Sequence, residues 1–90
     1  MPSKADKLLA KAQQNKAGWM PGELEALYQG FGFIIREGKG SHKVVSHPKF
    51  PHLRAIFPQH ARELAKSYIA VAVKNIEAAI DLEKDETGNE

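Results

Sequence analysis

Apolar residues recur at helical spacing near the amino terminus of the chain. Leu8, Leu9 and Ala12 recur at roughly helical spacing within a helix that we place at Lys4–Gln14. Ser3 precedes this segment, and serine is a favoured N-cap because its hydroxyl accepts a hydrogen bond from a free backbone N–H of the first turn. The pattern therefore predicts a first helix that begins here and ends before Gly18.

A second helix is predicted to begin at Pro21. Proline suits the first turn of a helix, since the N–H group that it lacks would have no partner there. Gly30 and Gly32 mark the end, because glycine accepts the left-handed backbone that often closes a helix. The apolar positions between these points form one buried stripe, made of Leu24, Leu27, Tyr28 and Phe31.

Strand character replaces helical spacing from residue 33 onward. Phe33–Glu37 is a run of β-branched and aromatic residues that predicts a strand. The 38–40 segment predicts a hairpin, since both of its glycines accept positive φ angles. A return strand is expected over Ser41–His47. A third is expected over Leu53–Phe57, after a loop with two prolines that cannot donate within a sheet.

The longest helical pattern follows His60 and runs towards the carboxyl terminus. Its stripe is predicted to consist of Leu64, Tyr68, Val71, Ala72, Ile76, Ala79 and Ile80. Ile69 and Val73 widen this stripe, so the helix is expected to contact more than one neighbour. Residues 83–90 are too polar to pack, and we expect them to form a disordered acidic tail.

The predicted order of elements is helix, helix, strand, strand, strand, helix, which is an α+β fold. Sequential strands with short connections pair as an antiparallel meander, and helices must cover one of its faces. The prediction is thus a three-stranded antiparallel sheet with helices on one face and an open second face. Ninety residues are enough for one domain, which we place at 1–82, with 3–15 as an additional amino-terminal helix.

Composition narrows the class of protein. The chain has no cysteine, which excludes disulfides and thiolate metal sites. An apolar content of 42% suits a packed globule rather than a disordered chain. No apolar run approaches the roughly 20 residues that a membrane-spanning helix needs, and the start lacks a signal-peptide pattern. We therefore expect a cytoplasmic protein.

The small net charge of +2 conceals a basic segment. Residues 1–80 contain twelve Lys and Arg against six Asp and Glu, whereas the last ten residues are acidic. Within 36–62 six basic residues accompany Glu37 alone, and all four histidines lie there. Such a positive patch concentrates polyanions, nucleic acids above all. The competing interpretation is an ordinary solvated surface rich in lysine.

His42 is the residue of this basic segment that best suits acid–base chemistry. It follows the glycine turn and precedes Lys43, and histidine exchanges protons near neutral pH. RNA carries its own nucleophile, the 2′-hydroxyl beside each phosphodiester, so a protein that moves this proton can cleave RNA without a metal. We predict His42 as the general acid or base and Lys43 as the phosphate partner.

The other polar residues nearby admit different interpretations. Ser41 follows a turn, where a hydroxyl usually bonds the local backbone. His47 and His52 flank the proline loop and are expected to be structural or to face phosphate. His60 either caps the long helix or forms the second member of an acid–base pair with His42. The histidines are spaced five, five and eight residues apart, which matches no compact zinc pattern, so no metal is expected.

Four short motifs in register resemble the HicA family of toxins. They are Gly30-Phe31-Gly32-Phe33, Gly40-Ser41-His42, His47-Pro48 and Pro58-Gln59-His60. The resemblance covers residues 21–80. It implies a fold like the double-stranded-RNA-binding domain and the cleavage of mRNA without a ribosome and without a cofactor. It also implies a HicB-type antitoxin as a partner that covers the active site.

The resemblance assigns the functional histidine of the family to His42. The residues predicted to bind RNA around it are Gly40, Ser41, Lys43, Arg36, Lys39, Lys49 and Arg54. Two features depart from the family: Val45 stands where an aromatic residue is frequent, and the Lys4–Gln14 helix extends the core. This extra helix is expected either to shield the sheet or to form a self-association surface, which would make the protein a homo-oligomer.

Two other functions fit the same sequence. One is a module of the double-stranded-RNA-binding type that grips the RNA backbone without cutting it. The other is a protein-interaction adaptor that docks the wide apolar stripe of its carboxyl-terminal helix on a partner. Loss of activity in a His42 variant would separate the nuclease from the module. The salt dependence of RNA binding would separate both from the adaptor.

Overall fold

Helices and strands follow one another in the predicted order within residues 3–87, which are the residues that the computed structural model describes. The elements are α1 (Lys4–Gln14), α2 (Pro21–Gln29), β1 (Ile34–Glu37), β2 (His42–Ser46), β3 (Arg54–Pro58) and α3 (Lys66–Thr87). The α+β class and the order α-α-β-β-β-α are therefore confirmed. None of the helices in this range combines the length and the apolar character needed to cross a bilayer.

α1 has the bounds that the sequence predicts. Ser3 and Asp6 form a capping box, in which the Asp6 N–H donates to Ser3 Oγ at 3.2 Å and the Ser3 N–H donates to Asp6 Oδ2 at 3.1 Å. Leu9 and Ala12 are buried. α1 packs against α2 and α3. The extra helix therefore supports the helical layer and does not shield the exposed face of the sheet.

α2 buries most of its predicted stripe. It begins at Pro21 and buries Leu24, Leu27 and Tyr28, whereas Phe31 is half-buried just beyond the end of the helix. Gly32 has a φ of 86° and turns the chain from the helix into β1.

The three strands form an antiparallel meander with β2 in the middle. Val45 lies at the centre of the register, opposite Ile35 of β1 and Ala55 of β3. The predicted hairpin joins β1 to β2, and Gly40 has a φ of 64° within it.

The core lies between the sheet and the helices α2 and α3. The Tyr28 ring stacks on Phe57 with 6.5 Å between ring centroids and meets Phe33 edge-on at 5.1 Å. Burial raises the pKa of the Tyr28 hydroxyl to about 12, and a hydrogen bond with Asn75 opposes the rise only in part. Aromatic residues of α2, of β3 and of the turn before β1 thus meet in one cluster.

α3 departs from its prediction at both ends and along its stripe. Leu64 is buried, but it lies before the helix, which begins at Lys66. The prediction that Val71 is buried is wrong: its side chain is 44% exposed, because it lies roughly 200° around the helix from the fully buried Ile69. The predicted disordered tail is wrong for residues 83–87, which are helical, while 88–90 lie outside the described residues. The buried face is formed by Ile69, Ala72, Val73, Ile76 and Ala79.

Trp19 connects the helices to the loop that precedes α3. Its ring is fully buried and its Nε1–H donates to the Asn15 carbonyl at 2.9 Å. Its own carbonyl accepts the Leu64 N–H at 2.7 Å, and the Lys11 ammonium lies 4.8 Å from the ring centroid. One residue therefore positions the end of α1, the start of α2 and the approach to α3.

Trp19→Phe should lower the free energy of unfolding by about 1–3 kcal/mol, because it leaves the Asn15 carbonyl without its donor and opens a gap beside the smaller ring. Met20 next to it is 53% exposed, so Met20→Leu should change that free energy by less than about 0.5 kcal/mol. Urea denaturation followed by circular dichroism measures both. Equal losses in the two variants would contradict the assignment.

Glu23 couples α1 to the start of α2. Its carboxylate accepts hydrogen bonds from Lys11 Nζ at 3.0 Å and from the Met20 N–H at 3.2 Å. These two bonds hold the pKa of Glu23 below its ordinary value of 4.5, and the bond from Lys11 has the larger effect. A carboxyl with a lowered pKa in the folded state stabilises that state where it is ionised.

We expect the stability difference between wild type and Glu23→Gln to be fully present above pH 4.5 and to vanish as the pH falls through the lowered pKa of the folded protein. Thermal melts across the acid range measure this difference. Lys11→Gln should remove most of it, since Lys11 is the main cause of the shift. A difference that stays constant with pH would disprove the coupling.

Candidate active site

The side chains of the sheet divide into a covered face and an open face. Ile35, Val45 and Ala55 are paired across the sheet and pack against the helical layer. Because side chains alternate along a strand, the residues on either side of these three point the opposite way. We call that second surface the open face; it consists of Ile34, Arg36, His42, Val44, Ser46, Arg54, Ile56 and Pro58.

His42 lies exposed at one end of the open face, as the first residue of β2. It pairs with Pro58, and its carbonyl accepts the Gly38 N–H at 2.8 Å. A Cβ at Gly38 would lie 2.8 Å from Val44 Cγ2 and 3.2 Å from the His42 carbonyl oxygen, so only glycine fits there without a shift. The hairpin therefore packs closely on β2 and leaves the imidazole accessible to solvent.

Two shallow depressions extend along the open face from His42. The first is lined by Gly38, Lys39, His42, Val44 and Ile56. The second is lined by Val44, Arg54, Ala55 and Ile56. Because they share Val44 and Ile56, the depressions form one groove that runs from the hairpin to Arg54.

Three of the cations predicted to bind RNA border this groove. Arg36 lies in β1 opposite Val44, Arg54 begins β3, and Lys39 lies in the hairpin; all three are exposed. Strands about 4.8 Å apart with a rise of about 3.4 Å per residue place the backbone of Arg36 roughly 8 Å from that of His42. The open face contains no acidic residue. The potential around the imidazole is therefore positive.

Lys43 does not share this face with His42. Its Nζ lies between two carboxylates on the covered side, 3.2 Å from Glu37 and 3.5 Å from Glu25 of α2. These partners raise the pKa of Lys43, with the hydrogen bond to Glu37 as the largest cause. The prediction that Lys43 is the phosphate partner of His42 is therefore wrong in its geometry, since consecutive residues of a strand point to opposite faces.

The remaining residues predicted to bind RNA lie at the two ends of the sheet. Gly40 and Ser41 belong to the hairpin beside His42, and the Ser41 carbonyl accepts the Gln59 N–H at 2.7 Å. Lys49 is exposed in the loop that follows β2. A five-residue strand is about 14 Å long, so Lys49 lies at the opposite end of β2 from His42.

His60 lies at the same end of the sheet as His42. It follows Gln59, which is bonded to Ser41, and its Nε2 is 3.3 Å from Gln59 Nε2. No hydrogen bond joins the two imidazoles within residues 3–87. The alternative role as a helix cap is wrong, because α3 begins only at Lys66.

His47 has a structural role. Its side chain is 5% exposed, and its Nδ1 accepts the Lys49 N–H at 3.1 Å. Its ring lies between Phe33 and Phe50, with centroid distances of 4.8 and 4.7 Å, and its Nε2 is buried without a hydrogen-bond partner. His52 by contrast is exposed in the same loop. The two histidines that flank the prolines thus have opposite environments.

The part of the chain that the structure describes assembles no metal site. No group of three or more His, Asp or Glu side chains there is arranged to hold an ion. His42 and His60 lie at the hairpin end of the sheet, whereas His47 is buried at the other end.

Reasoning from the sequence missed the apolar part of the open face. Ile56 is 57% exposed and Ile34 40% exposed, and Val44 between their strands is half-buried. The alternation along β2 carried the signal, since an inward Val45 requires an outward Val44. The β-branched runs predict strands, and the register then shows which outward residues of neighbouring strands lie side by side.

No protein-family model, no curated protein and no solved structure matches this chain. The function is therefore inferred from the residues and their geometry.

His47→Ala should lower the free energy of unfolding by about 2–3 kcal/mol, since it leaves a cavity between two aromatic rings and removes the acceptor of the Lys49 N–H. His52→Ala removes the same side chain from an exposed position and should change stability by less than about 0.5 kcal/mol. Chemical denaturation of both variants measures the difference. Similar values for the two would refute a structural role for His47.

Proposed function

We propose that the chain is a HicA-like endoribonuclease, an mRNA interferase in which His42 acts as general acid or base. The observation that carries the proposal is the exposed imidazole of His42 at the end of a groove whose other charged side chains are Lys39 and Arg54. The motifs that resemble the HicA family over residues 21–80 support it separately.

Cleavage of RNA through its own 2′-hydroxyl requires one base and one acid. The base takes the proton of the 2′-hydroxyl, and the 2′-oxygen bonds to the adjacent phosphorus. The bond between that phosphorus and the 5′-oxygen breaks, and the acid gives the 5′-oxygen a proton. The products are a 2′,3′-cyclic phosphate and a 5′-hydroxyl. The imidazole of His42 suits either role, since histidine accepts and donates protons near neutral pH.

The cations beside His42 supply the charge stabilisation that this reaction needs. Lys39 lines the same depression as the imidazole, and Arg36 lies on the neighbouring strand. Negative charge grows on the phosphate oxygens as the 2′-oxygen attacks, and fixed cations nearby lower the barrier. A positioned acid or base typically contributes a factor of roughly 10²–10⁴ to the rate. His60, one strand away, is the candidate for the second proton-transfer group.

A partner and a compartment follow from the proposed activity. An enzyme that cuts mRNA in the cytoplasm harms its own cell unless another protein occupies its active site. A HicB-type antitoxin with an acidic surface would complement Arg36, Arg54 and Lys39 and would cover His42. The chemistry through the 2′-hydroxyl calls for no cofactor.

A second candidate function is RNA binding without cleavage. It is favoured by one observation, that the His60 ring contacts Gln59 and makes no hydrogen bond to His42 within the described residues. A single imidazole on a basic surface binds a phosphate without providing both proton transfers. The adaptor has less support, because Ala72, Ile76 and Ala79 of the predicted α3 stripe are buried in the core of the same chain.

His42→Gln should lower the rate of RNA cleavage by at least about 100-fold, because glutamine keeps hydrogen bonding but cannot exchange the proton. The rate is measured with purified protein on a labelled RNA, whose ends should carry a 2′,3′-cyclic phosphate and a 5′-hydroxyl. In cells, induction of wild type should arrest growth and degrade total RNA, and induction of His42→Gln should do neither.

His52→Gln is the matched control, since it makes the same change at an exposed histidine that lines neither depression. It should cleave like wild type. Thermal melts of both variants should match wild type, which separates a chemical effect from unfolding. Retained cleavage by a folded His42→Gln protein would eliminate His42 as the acid or base. A wild type that binds RNA but does not cut it would leave the binding module.

A further inference from the structure

Charged residues are sorted between the two faces of the sheet. Arg36, His42 and Arg54 lie on the open face, together with no acidic residue. The one carboxylate of the three strands, Glu37, pairs with Lys43 on the covered side. This arrangement turns the negative charge away and leaves a surface that is complementary to a polyanion.

The same face carries exposed aliphatic side chains. Val44 and Ile56 pair across β2 and β3 and form the floor that both depressions share. Ile56 is the more exposed at 57%, and Ile34 adds a third apolar side chain at the far end of β1. A ligand of the open face must therefore offer apolar surface as well as negative charge.

The arginines are spaced too widely to hold a single phosphate. Strand geometry places the backbone of Arg36 roughly 8 Å from that of His42, and that of Arg54 roughly 14 Å from it. Arg36 and Arg54 lie on the two outer strands, roughly 12 Å apart. These separations suit different phosphates of one extended nucleic-acid strand that crosses the open face.

We propose that the open face is a binding track for single-stranded RNA that leads from Arg54 to His42. Arg36 and Arg54 bind successive phosphates, and Val44 and Ile56 contact the riboses and bases between them. The inference rests on the proposed nuclease function and names the form of RNA that the site takes. Since the open face has no Phe, Tyr or Trp to stack on bases and no Asn or Gln to read base edges, its sequence preference should be weak.

A single strand fits this surface better than a duplex. A duplex buries its bases and presents mainly phosphates, sugars and narrow groove edges, so the aliphatic floor of the groove would meet little apolar surface. A single strand exposes both the charged backbone and the flat faces of its bases. Only the single strand uses the arginines and the aliphatic residues together.

The test measures RNA binding in a His42→Ala background, in which the RNA is not cut. Fluorescence anisotropy with a short unstructured RNA gives the affinity as a function of salt, and a duplex of the same sequence serves as competitor. Arg36→Gln and Arg54→Gln should each weaken binding about tenfold and make the negative slope of log affinity against log salt less steep by about 0.7. Arg62→Gln, an exposed arginine outside the strands, should change neither.

The aliphatic floor is tested by Ile56→Thr, which keeps the branched side chain that suits a strand. It should weaken binding about fivefold and leave the salt slope unchanged, because it removes apolar contact and no charge. Val71→Thr is its control, since Val71 is exposed at 44% on α3 and lies outside the open face.

Each outcome separates the track from the proposed nuclease. An equal loss of RNA affinity in Arg62→Gln and in the two open-face arginine variants would indicate diffuse electrostatic attraction and overturn the track. A duplex that competes as well as the single strand would also overturn it. If the parent His42→Ala protein binds no RNA and the open-face variants instead lose an acidic protein partner, the face is a protein interface and the track is wrong. If wild type cleaves no RNA while the open-face variants still lose RNA binding, the nuclease assignment fails and the track stands.

Discussion

The burial of Val45 against the helices determines what the open face presents. Val45 is the central residue of the central strand and is fully buried, with Ile35 and Ala55 beside it. Alternation then sends His42 and Val44 outward and Lys43 inward. A slip of one residue in β2 would reverse all of these positions and bring the imidazole beneath the helices. The accessibility of His42 is thus a consequence of core packing as much as of the glycine hairpin.

The elements of the fold could be predicted wherever a local signal sets them. Ser3 caps α1, Pro21 begins α2, and the glycines at 38 and 40 close the hairpin, and each of these acts within a few residues of sequence. The facing of α3 is different, because its apolar residues are dense enough to define two overlapping stripes. Contact with β3 and α1 determines that the side of α3 with Ile69 is buried and that Val71 is exposed. No local sequence signal indicates which of the two sides is buried.

The candidate site shows the same division between local and long-range information. The position of His42 beside a glycine turn could be read from the sequence, and its exposure agrees with that. Lys43 is its neighbour in the chain but lies on the other face, and Lys49 is separated from it by the length of β2. Ile56 reaches the groove from another strand through the register alone. Proximity along the chain is therefore a poor guide to a site built across three strands.

The edge of β3 is protected, which leaves the open face as the more available surface of the sheet. The hydrogen bond from the Gln59 N–H to the Ser41 carbonyl fixes which alternate residues of β3 bond to β2. Arg54, Ile56 and Pro58 therefore direct their backbone groups away from β2. Pro58 has no N–H to offer, and the Arg54 carbonyl already accepts the Asn75 side chain at 3.3 Å. A strand added at this edge would find an interrupted series of backbone hydrogen-bond donors and acceptors. With α1 packed on the helical layer, the surface of the sheet that is left for the proposed RNA is its open side, where His42 lies.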